Sequence, residues 1–167
     1  MCCIIYKPKG VQMPNLDTLA KIKKLNHNGY GFVSTDHFHK GLDYRTFLRH
    51  LSEVGAGEDC IIHFRFATHG SICRANCHPF IENSVYFAHN GTFNVCPVGD
   101  MTDSEFVFRM EIYPEIQRFG YGTKQADWAI KQICGYSRFA MMYQGEVRLY
   151  GDYKIWNGVY YSNLRWL

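Results

Sequence analysis

Seven short β-prone runs divide this sequence, at residues 2–7, 29–35, 60–66, 84–89, 136–143, 147–150 and 159–162. They are rich in Ile, Val, Phe, Tyr and Cys, and too short to read as helices. The dipeptides Gln144-Gly145 and Asn157-Gly158 supply hairpin turns among the last three. Helical patterns lie between the runs. Leu16, Leu19, Ile22 and Leu25 recur behind Pro14, and Tyr44, Phe47, Leu48, Leu51 and Val54 form a stripe with Asp43 as N-cap and Gly55 just past its end. Thr102-Asp103-Ser104-Glu105 is a capping box that opens a helix through Phe106, Met110 and Tyr113, which Pro114 is expected to end. Residues 123–134 read as a further helix, and 36–40 as a turn. Hairpin signals outnumber βαβ units. The pattern therefore predicts an α+β chain of largely antiparallel sheets with helices packed outside, as one domain over residues 1–167.

The 167 residues, 47% hydrophobic and 20% charged, suffice for a sizeable core and exclude a disordered tail. A net charge of +3 with no run of five like charges leaves no electrostatic footprint for nucleic acid or a membrane surface. No apolar stretch approaches the roughly 18 residues of a membrane span. The N-terminus also lacks the order of a signal peptide, so a cytoplasmic location is expected. Seven cysteines (Cys2, Cys3, Cys60, Cys73, Cys77, Cys96 and Cys134) are an odd count, below the density of a disulfide scaffold. Cys73-x3-Cys77-His78 invites a zinc reading, but no second pair follows at finger or ribbon spacing. Neither metal nor cofactor is expected.

The chemistry concentrates at the N-terminus. Cys2 follows Met1, and a residue as small as Cys there permits removal of the methionine. The product would begin with a cysteine whose α-amine, with an unperturbed pKa of roughly 7.7–8, can act as general base for its own thiol. Cys3 competes, but neighbouring strand side chains point to opposite faces, and only Cys2 can carry the amine. Taken alone, Cys2 also reads as the start of a strand. Arg65 ends an apolar run, where its fork can clamp a carboxylate or form a structural ion pair. Asn90-Gly91 offers a side-chain amide and a closely approaching backbone N–H, the two donors of an oxyanion hole. The same dipeptide is a type I′ hairpin signal. Asp103 can hold an ammonium or merely cap a helix. His63, His78 and His89 read as hydrogen-bonded scaffold residues.

Four further motifs join these: Asn28-Gly29-Tyr30-Gly31-Phe32, His63-Phe64-Arg65-Phe66-Ala67-Thr68-His69-Gly70, Asn76-Cys77-His78-Pro79-Phe80 and Ala88-His89-Asn90-Gly91-Thr92-Phe93. With Met1-Cys2 before them and Thr102-Asp103-Ser104-Glu105 after, their order and spacing resemble the class II glutamine amidotransferases, which are N-terminal-nucleophile hydrolases. The resemblance is clear from residue 2 to about 110 and weaker from Gly135 to Asn163. It implies a four-layer αββα sandwich, glutamine as substrate, and Cys2, Asn90 and Gly91 as the catalytic residues. It also implies that Arg65, Thr68, His69 and Asp103 hold the amino-acid end, and that Gly29, Tyr30 and Gly31 pack beside the nucleophile.

Two departures stand out. Phe66 occupies a position that is usually tryptophan in the resembling synthases, and Cys77 precedes the histidine where a small residue is common. With the sequence ending at Leu167, a stand-alone glutaminase supplying ammonia to a synthetase on another chain is expected. The rival readings are another N-terminal-nucleophile amidase and a catalytically idle binding or regulatory module.

Overall fold

The computed structural model describes residues 1–68 and 70–167. In chain order the elements are β1 (Cys3–Lys7), α1 (Leu16–Leu25), β2 (Tyr30–Ser34), β3 (Phe38–Gly41), α2 (Tyr44–Leu51), β4 (Cys60–Phe64), β5 (Phe80–Glu82) and β6 (Val85–Asn90). There follow α3 (Asp103–Val107), a π-helical turn (Phe108–Ile112), α4 (Tyr113–Phe119), α5 (Lys124–Cys134), β7 (Arg138–Tyr143), β8 (Glu146–Tyr150), β9 (Lys154–Trp156) and β10 (Val159–Tyr161). The strands form two antiparallel sheets, a larger one ordered β3-β2-β4-β1-β10-β9 and a smaller one ordered β5-β6-β7-β8.

The alternation of side chains along each strand builds the layers. Cys3, Ile5, Phe32, Ile62 and Phe64 leave one face of the larger sheet to pack on Leu19 and Ile22 of α1 and Phe47 and Leu51 of α2. Their neighbours Ile4, Val33 and Ile61 point the other way and meet Ala88, Ala140 and Met142 of the smaller sheet. Phe87, Phe139 and Met141 leave that sheet's outer face and pack on Phe108, Ile112 and Ile130. Three apolar seams therefore join four layers, helix-sheet-sheet-helix, in agreement with the expected α+β sandwich.

The caps follow from local chemistry. The Asn15 side chain accepts from Thr18 N at 2.9 Å, Asp43 from Thr46 N at 2.7 Å and Thr123 from Ala126 N at 3.2 Å, each satisfying a first-turn donor that has no intrahelical acceptor. Both hairpin dipeptides have the left-handed backbone of a type I′ turn, with Gln144 and Gly145 at φ 50° and 79° and Asn157 and Gly158 at φ 51° and 77°.

Two expectations are corrected. Residues 36–40 are not only a turn: β3 begins at Phe38 and pairs with β2 as an edge strand. Its sequence, Phe-His-Lys-Gly, buries no residue fully, so it lacks the apolar alternation that marks a strand. Pro114 does not end its helix either. The preceding π turn directs Tyr113 N–H to the Phe108 carbonyl, and Pro114 sits in the first turn of α4, where its missing N–H costs little.

Candidate active site

A polar cleft opens where the N-terminal end of β1 meets the C-terminal ends of β4 and β6. It is lined by residues from five separate stretches: Cys2; Arg65 to Thr68; Asn76 and His78; His89 and Gly91; and Thr102 to Ser104. Cys2 precedes β1 by one residue, so alternation places it on the same side as Ile4, facing the smaller sheet. Its Sγ accepts from Phe66 N–H at 3.3 Å and lies 3.5 Å from the Phe66 carbonyl. Burial pushes the Cys2 thiol pKa up, while the Phe66 hydrogen bond, the chain's α-amino group and the Arg65 guanidinium pull it down.

Arg65 follows β4 and is buried. Its backbone N–H donates to Gly29 O at 2.8 Å, its carbonyl accepts from Asn28 N at 3.0 Å, and its Nη1 donates to Ser71 O at 2.9 Å. The Asn28 side chain accepts from Ala67 N at 3.0 Å. Residues 28 and 29 therefore hold the arginine's own segment. Tyr30 and Gly31 pair with Phe64 and His63 on the far side of β4 from β1, and Gly29, Tyr30 and Gly31 do not line the cleft.

Beneath the cleft lies a stack of neutral histidines. His63 and His78 stack with ring centroids 4.0 Å apart. His63 Nε2 donates to the His89 carbonyl at 3.1 Å, and His78 Nδ1 accepts from His89 N–H at 3.1 Å. His89 in turn meets Ser104 Oγ through Nδ1 at 2.7 Å and Ser137 Oγ through Nε2 at 3.0 Å. Burial lowers all three, His63 to about 3, His89 to about 4 and His78 well below its ordinary value. The scaffold role expected of these residues fits that network, although two of their rings also line the cleft. Among the described residues, no cluster of His, Cys, Asp and Glu is arranged to hold a metal ion.

Asp103 opens α3, with Thr102 as N-cap accepting from Glu105 N at 3.2 Å. One Asp103 carboxylate oxygen accepts from Phe93 N at 2.8 Å and the other from Ser104 Oγ at 3.4 Å. Gly91 lies against Ser137 and His89, where a Cβ would collide with the hydroxyl and the ring. Asn90 is the last residue of β6 and pairs with Arg138 in the ladder. It is not the first residue of a hairpin turn, because the chain continues to α3. Asn90 is buried behind Gly91 and outside the cleft lining; its Nδ2 donates to Ser162 Oγ at 2.8 Å, and its Oδ1 has no partner among the described residues.

Of the residues singled out from the sequence, Cys2, Arg65, Thr68, Gly91 and Asp103 share one cleft. His69 lies outside the described residues. Asn76 and Ser104 line the cleft without having been assigned a role, although both stand inside quoted motifs. Ser137, Ser162 and Asn163 had no local signal, being polar residues just outside strands. Among the described residues, no helix is long and apolar enough to cross a membrane.

Comparison with known proteins bears on the same residues. No curated protein matches the chain. The family model for the class-II glutamine amidotransferases matches residues 49–133, half of the chain, and that stretch carries Arg65, Thr68, Asn90, Gly91 and Asp103 of the site just described. The chain belongs to the class II glutamine amidotransferases.

Proposed function

We propose that this protein is a glutaminase, a single domain that hydrolyses the side-chain amide of glutamine to glutamate and ammonia, with Cys2 as nucleophile. The observation that carries the reading is the convergence of Cys2, Arg65, Gly91 and Asp103, from four separate stretches, on one cleft. Removal of Met1 gives Cys2 a free α-amine. That amine accepts the thiol proton as sulfur attacks the amide carbon. Negative charge on the carbonyl oxygen is met by Gly91 N–H, which lines the cleft, with the second N–H of Asn90, the buried residue just before it, as the other donor. The amine returns the proton to the leaving nitrogen, which departs as ammonia and leaves a γ-glutamyl thioester. Water, activated by the same amine, cleaves the thioester. Arg65 holds the substrate's α-carboxylate, Thr68 stands beside it, and Asp103 takes the α-ammonium. The ammonia passes to a synthetase on another chain, and the reaction belongs to the cytoplasm.

The test compares two adjacent cysteines. Cys2→Ala should abolish glutamate release. Cys3→Ala, on the face packed against α1 and α2, should lose some stability and keep most of its activity. Equal loss in two folded variants would remove Cys2 as nucleophile. Preserved labelling of Cys2 by a thiol reagent, with no turnover of glutamine, would favour another amide as substrate.

A further inference from the structure

We infer that Ser162 and Asn163, just past β10, are positioning residues for this reaction; the inference rests on reading Cys2 as the nucleophile and Asn90 as an oxyanion donor. β10 lies beside β1, and the chain stays on β1 after its last ladder pair. Ser162 N–H donates to the Ile4 carbonyl at 2.9 Å, and Ile4 N–H donates to Ser162 Oγ at 2.9 Å. Asn163 Nδ2 donates to the Cys2 carbonyl at 2.9 Å, while its Oδ1 accepts from Arg165 N at 3.3 Å. The nucleophile's backbone is thus held from the side opposite β4.

The same Ser162 oxygen reaches the other half of the catalytic pair, accepting from Asn90 Nδ2 at 2.8 Å. Ser162 and Asn90 are 3% and 1% exposed, so water does not compete for these bonds. A hydroxyl has two lone pairs and one hydrogen. Ile4 N–H can only donate and takes one lone pair, and Asn90 Nδ2 takes the other. The Asn90 amide nitrogen points at Ser162, which leaves its second N–H for the oxyanion. A single oxygen ties the strand that follows the thiol to the amide that would meet the developing charge. The separation of attacking atom and donor is set at Ser162, and a displacement of about 1 Å in such a pair costs on the order of a hundredfold in rate.

The experiment is steady-state glutamate release by the full chain and by Ser162→Ala, Ser162→Thr and Asn163→Ala, with thermal melting of each. Ser162→Ala removes the shared acceptor without touching the cleft, so kcat should fall about ten- to a hundredfold while KM stays within about threefold. Ser162→Thr keeps the hydroxyl and should recover most of the loss. Asn163→Ala should lower kcat with the same indifference of KM, and it decides the matter if Ser162→Ala does not fold. A folded Ser162→Ala with wild-type kcat, a loss confined to KM, or a Thr variant as slow as Ala would each overturn the inference. Glutamate release that survives Cys2→Ala would instead overturn the reading on which it rests.

Discussion

At Cys2, burial and hydrogen bonding act on the thiol in opposite senses, and burial acts more strongly. A thiol raised above its ordinary range stays protonated near neutral pH, so nucleophilic attack needs a base at hand. None of the three histidines offers a lone pair to the cleft: His78 spends its Nδ1 on His89 N–H, His89 meets serine hydroxyls through both nitrogens, and the unpartnered His63 Nδ1 is sealed inside the stack. In the mechanism proposed above, the α-amine of a Cys2 freed from Met1 fills that role. Gly91 offers a direct test of how tightly the proposed oxyanion side is built. Gly91→Ala should lower the melting temperature by several degrees, in line with the roughly 1–3 kcal/mol typical of overpacking, and should lower kcat more than tenfold. Gly57→Ala, with open space at its Cβ, should do neither. Parallel melts and kinetics of both variants check this; a Gly91→Ala protein with wild-type behaviour would mean that Ser137 and His89 yield without consequence.

The histidine stack works at the scale of elements, bolting β4 to β6 through the segment that leads into β5. His63 and His89 have folded-state values near 3 and 4, and His78 lies well below its ordinary value, with Arg65 and Lys40 adding to the cost of charging it. The unfolded chain, with ordinary values near 6.5, therefore binds more protons than the native state below that pH. The sign follows: the contribution is complete above pH 6.5 and is lost progressively as pH falls through 4 and on toward 3. Urea midpoints measured from pH 7 to pH 4 should decline, by no more than about 1.4 kcal/mol per unit for each histidine. A flat profile would show that the stack is not neutral in the native state. The element scale also shows what the sequence could disclose. Leu19 and Ile22, or Phe47 and Leu51, carry periodicity that survives any context, and the two type I′ dipeptides need only their own backbone. β3, β5 and β9 have three or four residues each and owe their pairing to neighbours, so nothing local announces them. Pro114 misled for a related reason, because the π turn that accommodates it has no residue signature.

For the whole molecule, the seam between the two sheets is packed by Ile4, Val33, Ile61, Ala88, Ala140 and Met142. Ala88 and Ala140 face each other across β6 and β7 and lie against Ile4, Val33 and Ile61, so small residues set how closely the sheets approach. Ala140→Leu should cost about 1–3 kcal/mol by overpacking and lower activity, although it touches no residue of the cleft. Differential scanning calorimetry beside glutamate release checks this, and unchanged melting would mean the seam has slack. The site was legible where its residues sit in compact motifs, as at Arg65, Gly91 and Asp103. It was not legible at Ser162 and Asn163, whose meaning comes from strand order alone.

That strand order has a consequence in time. The bond from Asn163 to Cys2 spans 161 residues, and β1 lies inside the larger sheet with β10 on one side. A ribosome exposes β1 long before it can supply β10, so β1 waits half-paired through most of synthesis. Closing so large a loop is slow, and it leaves Cys2 without its Asn163 contact until the last strand pairs. A nascent chain would thus fix the backbone of Cys2 only once its last residues have been made.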